Sequence, residues 1–216
     1  MEDGLRFTNS WPDQALFLVA GPRGVQIGIG NANRGLCGGM VFTALDVFVA
    51  GLPPLEDSRP PPQSVLYRYL VRRLFDSFDI PIGVVDYYRS MIRCDQAAGV
   101  RTLQEWTAVK AELDSGRPCP LGLVTTQSAN PVQLGQNHQV LAYAYHQDRD
   151  RLTIRVYDPN TERATADDVQ LSVNLGPRSQ VGAVTHNVKI GRPIRGFFRV
   201  RYRPADPRCL STDRGT

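Results

Sequence analysis

Cys37, His138 and Asp158 are residue types that together can move a proton and attack a carbonyl. Cys37 lies in Asn33-Arg34-Gly35-Leu36-Cys37-Gly38-Gly39-Met40. An apolar helical pattern begins directly after it, so helix-terminal amides would lower the thiol pKa, and the glycines leave the backbone open to an approaching carbonyl. A single cysteine is more often a small core residue than a nucleophile, so its meaning depends on partners elsewhere in the chain.

The segment from His138 to Asp158 supplies candidate partners. It holds two β-rich runs separated by a polar, charged turn. Folded about Asp148, it pairs Val140 with Val156, Ala142 with Ile154 and Ala144 with Leu152, all apolar. Alternation then puts Leu141, Tyr143 and Tyr145 on the other face with Thr153, Arg155 and Tyr157. In this register His138 stands opposite Asp158 on the apolar-ladder face, within reach of an imidazole–carboxylate hydrogen bond. Asp158 would fix the imidazole tautomer, leaving the second ring nitrogen to draw a proton from a thiol. His146, in the turn, and His186, on an expected strand, have no acidic partner in the local pattern and read as surface or sheet residues.

The elements that must position these residues change character along the chain. Dense apolar residues from Met40 to Val49, stopped by Gly51 and Pro53-Pro54, predict a buried helix with Cys37 at its amino end. Leu52–Gln63 is proline-rich and reads as a loop. Ser64 reads as the N-cap of a helix carrying Val65, Leu66, Tyr69, Leu70 and Leu74. A further helix is expected over Val84–Arg93. Thr102-Leu103-Gln104-Glu105 has the form of a capping box opening a helix through Trp106, Val109 and Leu113. Period-two patterns then predict strands at Leu121–Thr126, Gln139–Tyr145, Leu152–Tyr157, Val169–Leu175, Val181–Ile190 and Ile194–Tyr202. Helices first and strands second argue for an α+β fold. One domain over residues 1–203 is expected, mainly helical through 118 and mainly β from 119, with 204–216 as a flexible tail.

Composition narrows the function classes. The 216 residues carry a net charge of +4, and no nucleic-acid-binding motif accompanies it. Arg199, Arg201 and Arg203 alternate along an expected strand and mark one solvated sheet face. The four cysteines (Cys37, Cys94, Cys119, Cys209) show neither metal-ligand spacing nor the density of a disulfide scaffold. Gly28-Ile29-Gly30-Asn31-Ala32-Asn33-Arg34-Gly35 lacks the Lys-Ser/Thr ending of a phosphate loop. No cofactor, metal or nucleic acid is therefore expected. With no signal-peptide pattern and no run long enough to span a bilayer, a cytoplasmic protein without membrane contact is expected.

Three blocks in order, Gly35-Leu36-Cys37-Gly38-Gly39-Met40, Asn137-His138-Gln139-Val140-Leu141-Ala142-Tyr143 and Val156-Tyr157-Asp158-Pro159-Asn160, resemble the papain-like cysteine peptidase superfamily. The closer likeness is to the double-glycine leader peptidases of bacteriocin exporters and their stand-alone relatives. It spans about Gly28 to Asn160, with the last strands completing the β lobe. The resemblance implies an N-terminal helical lobe carrying the nucleophile helix, packed on a C-terminal antiparallel β-sheet lobe. It implies a Cys37–His138–Asp158 triad that attacks a peptide or amide carbonyl and forms an acyl-enzyme. In this superfamily an oxyanion-hole side chain, commonly Gln, lies about six residues before the nucleophile; Asn31 matches that position, with Asn33 nearby. Asparagine donates the same kind of amide hydrogen bond from a side chain one methylene shorter. An acyltransferase of transglutaminase-like or arylamine-acetyltransferase-like type would use the same triad, and a non-catalytic binding module would keep the same fold and cleft.

Overall fold

The computed structural model describes residues 4–11, 17–20, 26–29, 35–55, 58–79, 82–176 and 184–210. Two short antiparallel strands come first, β1 (Phe17–Ala20) and β2 (Gln26–Ile29), in a region where no strand was expected. Helices α1 (Cys37–Val49), α2 (Val65–Ser77), α3 (Ile82–Met91) and α4 (Asp95–Asp114) follow. The rest of the chain supplies β3 (Cys119–Val124), β4 (His138–Asp148), β5 (Arg151–Tyr157), β6 (Gln170–Asn174), β7 (Thr185–His186) and β8 (Gly196–Arg199). They form one antiparallel sheet in the order β7-β6-β5-β4-β3-β8, and the fold is α+β. A bridge between Val184 and Ile194, just before the two edge strands, curls the sheet toward closure.

Helix α1 is apolar on nearly every side and is buried from Gly38 to Val47, as a central core helix must be. Ser64 caps α2 by accepting the Tyr67 amide at 3.1 Å. The two helices cross closely at Gly39, where a methyl group would overlap the Leu70 carbonyl. Asp46 of α1 is buried and fastens the neighbourhood: it accepts from Tyr69, Arg73, Tyr202 and the Ala205 amide. Residues 204–210, expected as part of a tail, are thereby held, and Leu210 is buried in the same core.

The sheet is covered on both faces. Leu141, Tyr157, Phe198 and Val200 pack with α1 and α2, whereas Leu121, Val140, Ala142, Ile154 and Val156 pack with Trp106 and Val109 of α4. Helix α4 thus lies across the sheet from α1 and α2. It also runs straight through the expected capping box. The Thr102 hydroxyl donates to the Ala98 carbonyl and accepts the Phe197 amide, and Glu105 accepts the Arg199 amide. The Thr-x-x-Glu pair does satisfy orphan amides, but they belong to the edge of β8 rather than to a helix start.

The hairpin differs from the sequence register. Its turn is Arg149-Asp150, which sets Gln147 opposite Leu152 and Tyr145 opposite Ile154. A bulge between Ala142 and Ala144 then brings Ala142 opposite Val156 and Leu141 opposite Tyr157. The bulge moves Tyr145 to the α4 face, where its ring meets Trp106 at 5.1 Å. His138 and Asp158 are consequently two residues out of opposition, and so still on one face. Of the expected strand over Val181–Ile190, residues 181–183 lie outside the described residues and Thr185–His186 form β7; beyond His186 the chain leaves the sheet, where Asn187 bonds the Asp168 carbonyl and the Gln170 amide.

Candidate active site

Cys37 is the first residue of α1, where its own amide has no intrahelical acceptor. Gly35, at φ 88°, and Leu36 lead into it, and Asn9 holds this entry in place. The Asn9 side-chain oxygen accepts the Leu36 amide at 2.6 Å and the Trp11 indole N–H at 2.9 Å. Its side-chain nitrogen donates to Asn160 at 3.0 Å, and its backbone amide donates to the Pro159 carbonyl at 2.8 Å. One asparagine therefore ties the helix entry before Cys37 to the turn that follows Asp158.

The Cys37 thiol is half-buried and hydrogen-bonds the His138 side chain. His138 Nε2 lies 2.7 Å from Asp158 Oδ1, so Nδ1 is the ring nitrogen left for the thiol. The slip in register is absorbed by the diagonal reach of the two side chains. Asp158 is fully buried and satisfied by four donors: the imidazole and the Asn160 amide on Oδ1, the Thr161 hydroxyl and the Lys189 amide on Oδ2. The turn Asp158-Pro159-Asn160-Thr161 and the segment that leaves β7 thus converge on one carboxylate.

These contacts set the charge states. Burial is the largest single influence on Cys37 and raises its pKa; the His138 charge and hydrogen bond, with the Gln139 and Gly38 amides, outweigh it and hold the thiol below its ordinary value. For His138 burial also opposes the charged form, but the Cys37 thiolate and the Asp158 carboxylate raise the imidazole to about 10. Asp158 is held below the usual carboxylate range against the cost of its burial by His138 and the two backbone amides. The arrangement favours a thiolate–imidazolium pair. Cys119 makes the contrast: buried without such partners, its thiol is pushed up to about 12.

No protein-family model, curated protein or solved structure matches the chain. Among the described residues no three His, Cys, Asp or Glu side chains gather as a metal site requires. No helix among them is long and apolar enough to cross a membrane. Asn31 and Asn33, the sequence candidates for an oxyanion hole, lie outside the described residues. His146 is exposed on β4, and His186 bonds the Arg192 carbonyl.

Several residues at the site carried no expectation. The Gln139 side chain donates to Ser77 at 3.2 Å, and the Tyr87 hydroxyl bonds Gln139 and donates to the His138 carbonyl. This cluster fills the space beside Gly38, where a side chain would collide with Ser77 and Gln139. The two glycines after Cys37 are thus explained by close packing of α1 on α2 and β4, not by access for a substrate. A polar Gln139 directly before the apolar run Val140-Leu141-Ala142 was a legible signal; Asn9, distant in sequence from both groups it joins, had none.

Proposed function

We propose that this chain is a cysteine hydrolase of peptide or amide bonds with a papain-like fold, related to the double-glycine leader peptidases. The observation that carries this reading is the Cys37–His138–Asp158 chain of hydrogen bonds, with the thiol acidified against its own burial. His138 Nδ1 takes the proton of Cys37. The thiolate attacks the substrate carbonyl carbon, and the carbonyl π electrons move to oxygen. The Cys37 amide at the start of α1, with the Asn31 or Asn33 side chain, receives that oxyanion. As the C–N bond breaks, the imidazolium returns its proton to the leaving amine, and the acyl group stays on sulfur. Water, deprotonated by His138, then attacks the thioester and releases acid and thiolate. Asp158 holds the imidazole ring and supports its charge throughout. All four cysteines are free thiols, which suits a reducing cytoplasm.

The test uses a mixture of peptides of defined sequence, read by mass spectrometry for cleavage, with Cys37→Ala as control. Cleavage by the wild type alone, with an acyl adduct trapped on Cys37, is the expected result. An adduct resolved only by added amine would identify an acyltransferase. Absence of both cleavage and adduct across the peptides, with Cys37 unreactive to peptidyl electrophiles, would leave the binding-module reading.

A further inference from the structure

Two adjoining cavities are lined by neither Cys37 nor His138, although Ser77 and Tyr87, which support Gln139, line the larger one. The larger cavity, about 650 Å³, lies within the range of small-molecule sites. It opens where the ends of α1 and α2 meet the start of α3, the face of α4 and the chain after β8. Its apolar lining includes Leu45, Phe48, Val49, Ile82 and Phe198. Six large hydrophobic residues are exposed among those described, and three of them, Phe48 at 37%, Val49 at 52% and Ile82 at 55%, line this one cavity. Exposed apolar side chains gathered at a concavity mark a binding surface, whereas scattered ones do not.

Apart from Arg201, the arginines lining this cavity are already engaged with carboxylates. Arg101 pairs with Asp86 and Glu105, and Arg117 and Arg199 both pair with Glu112. A peptide backbone would find few unspent charged partners here, but an alkyl chain needs none.

The second cavity, about 400 Å³, adjoins the first at Asp79, Arg201 and Pro204. It is lined by Arg72, Arg73, Arg201 and Arg203 against the carboxylates of Asp76 and Asp79. Arg73 is spent on Asp46 and Asp76, and Arg203 lies 3.7 Å from Asp79. Among the described residues neither Arg72 nor Arg201 has a hydrogen-bond or carboxylate partner, and both are exposed. The arginine alternation that the sequence marks as a solvated face therefore leaves one guanidinium at the junction of an apolar chamber and a cationic one.

We infer that the paired cavities bind an amphipathic carboxylate, its alkyl chain in the chamber of Phe48, Val49 and Ile82 and its head against Arg201 and Arg72. Guanidinium groups take carboxylates through paired N–H donors, and the alkyl chain covers apolar surface now facing water. This inference does not depend on the chemistry of Cys37.

The experiment is calorimetric titration of the full chain with dodecanoate below its micelle concentration. One saturable site per chain is expected. Decanoate should bind roughly tenfold more weakly, since each buried methylene contributes. Arg201→Ala and Arg72→Ala should each weaken dodecanoate about tenfold. Both side chains are exposed, so the variants should keep the wild-type urea midpoint, and dodecyltrimethylammonium should not compete. Absence of saturable binding, equal affinity for the ammonium analogue, or wild-type affinity in both arginine variants would overturn the inference.

Discussion

Removing His138 should reverse the direction in which the Cys37 thiol is shifted. Burial is the largest single influence on this thiol and raises its pKa; what overcomes it is mainly the imidazolium beside it. Without that charge and hydrogen bond, only the Gly38 and Gln139 amides remain to oppose burial, and the thiol should titrate above the ordinary value of about 8.5. At a pH about two units below that value, the thiolate fraction would be about one in a hundred or less, and alkylation would slow in proportion. The wild type should alkylate at a nearly constant rate from below the ordinary thiol pKa up to the His138 pKa of about 10, where the imidazolium is lost. The assay is the rate of iodoacetamide addition against pH, with peptide mapping to separate Cys37 from the exposed Cys94 and Cys209. His138→Ala leaves Asp158 without its imidazole, so His138→Gln, which offers that carboxylate an amide donor, is run beside it with urea denaturation as a check on folding. A wild-type profile in either folded variant, or a wild-type midpoint near the ordinary thiol value, would refute the account of the charge pair.

Other perturbations test the supports around the pair. Asp158 has a folded pKa below its unfolded one, so its contribution to stability is present above about pH 4 and is lost as pH falls through the depressed value; Asp158→Asn should flatten the fall in urea midpoint on the acid side. Asn9→Ala strips the acceptor from the Leu36 amide and the Trp11 indole, two donors on buried residues, and should cost about 2–4 kcal/mol in equilibrium unfolding. Asn9→Asp keeps that acceptor and loses only the donor to Asn160, so about 1 kcal/mol is expected. Gly39→Ala gains about 1 kcal/mol of helix propensity, but its methyl must push α1 off the Leu70 carbonyl; a net loss of about 1–2 kcal/mol should appear in the same measurement.

What was legible in the sequence was the part fixed by short-range pattern. Ser64 caps α2 because an N-cap is a local event, and the apolar run after Cys37 is a helix whose residues meet core on nearly every side from Gly38 to Val47. His138 and Asp158 were placed on one face because alternation survives a slip of two residues. The slip itself came from a turn at Arg149-Asp150 and a bulge before Ala144, neither of which is marked by glycine or proline. Thr102 and Glu105 misled for a related reason: their side chains serve backbone amides about 95 residues away, and the local spacing imitates a helix start. The glycines beside Cys37 were read as open space when they are contact surfaces, a distinction that depends on what packs against them.

The parts that were not legible are the ones that fix the distance between the two halves of the site. Cys37 belongs to a helix and His138 to a strand, and their separation depends on how α1 lies against β4. Gln139 sets this from within, since its backbone amide bonds the thiol while its side chain reaches Ser77 on α2 and Tyr87 on α3. Asn9 sets it from outside, since one side chain holds both the residue before Cys37 and the turn after Asp158. Lys189, after β7, contributes the amide that completes the Asp158 carboxylate. A shift of any one of these segments moves a proton donor away from sulfur or carboxylate, and with the thiol buried, the direction of its pKa turns on such bonds. The acidity of Cys37 is thus a property of several segments brought together by tertiary contacts, which is why a motif of six residues around it indicates a nucleophile without establishing one.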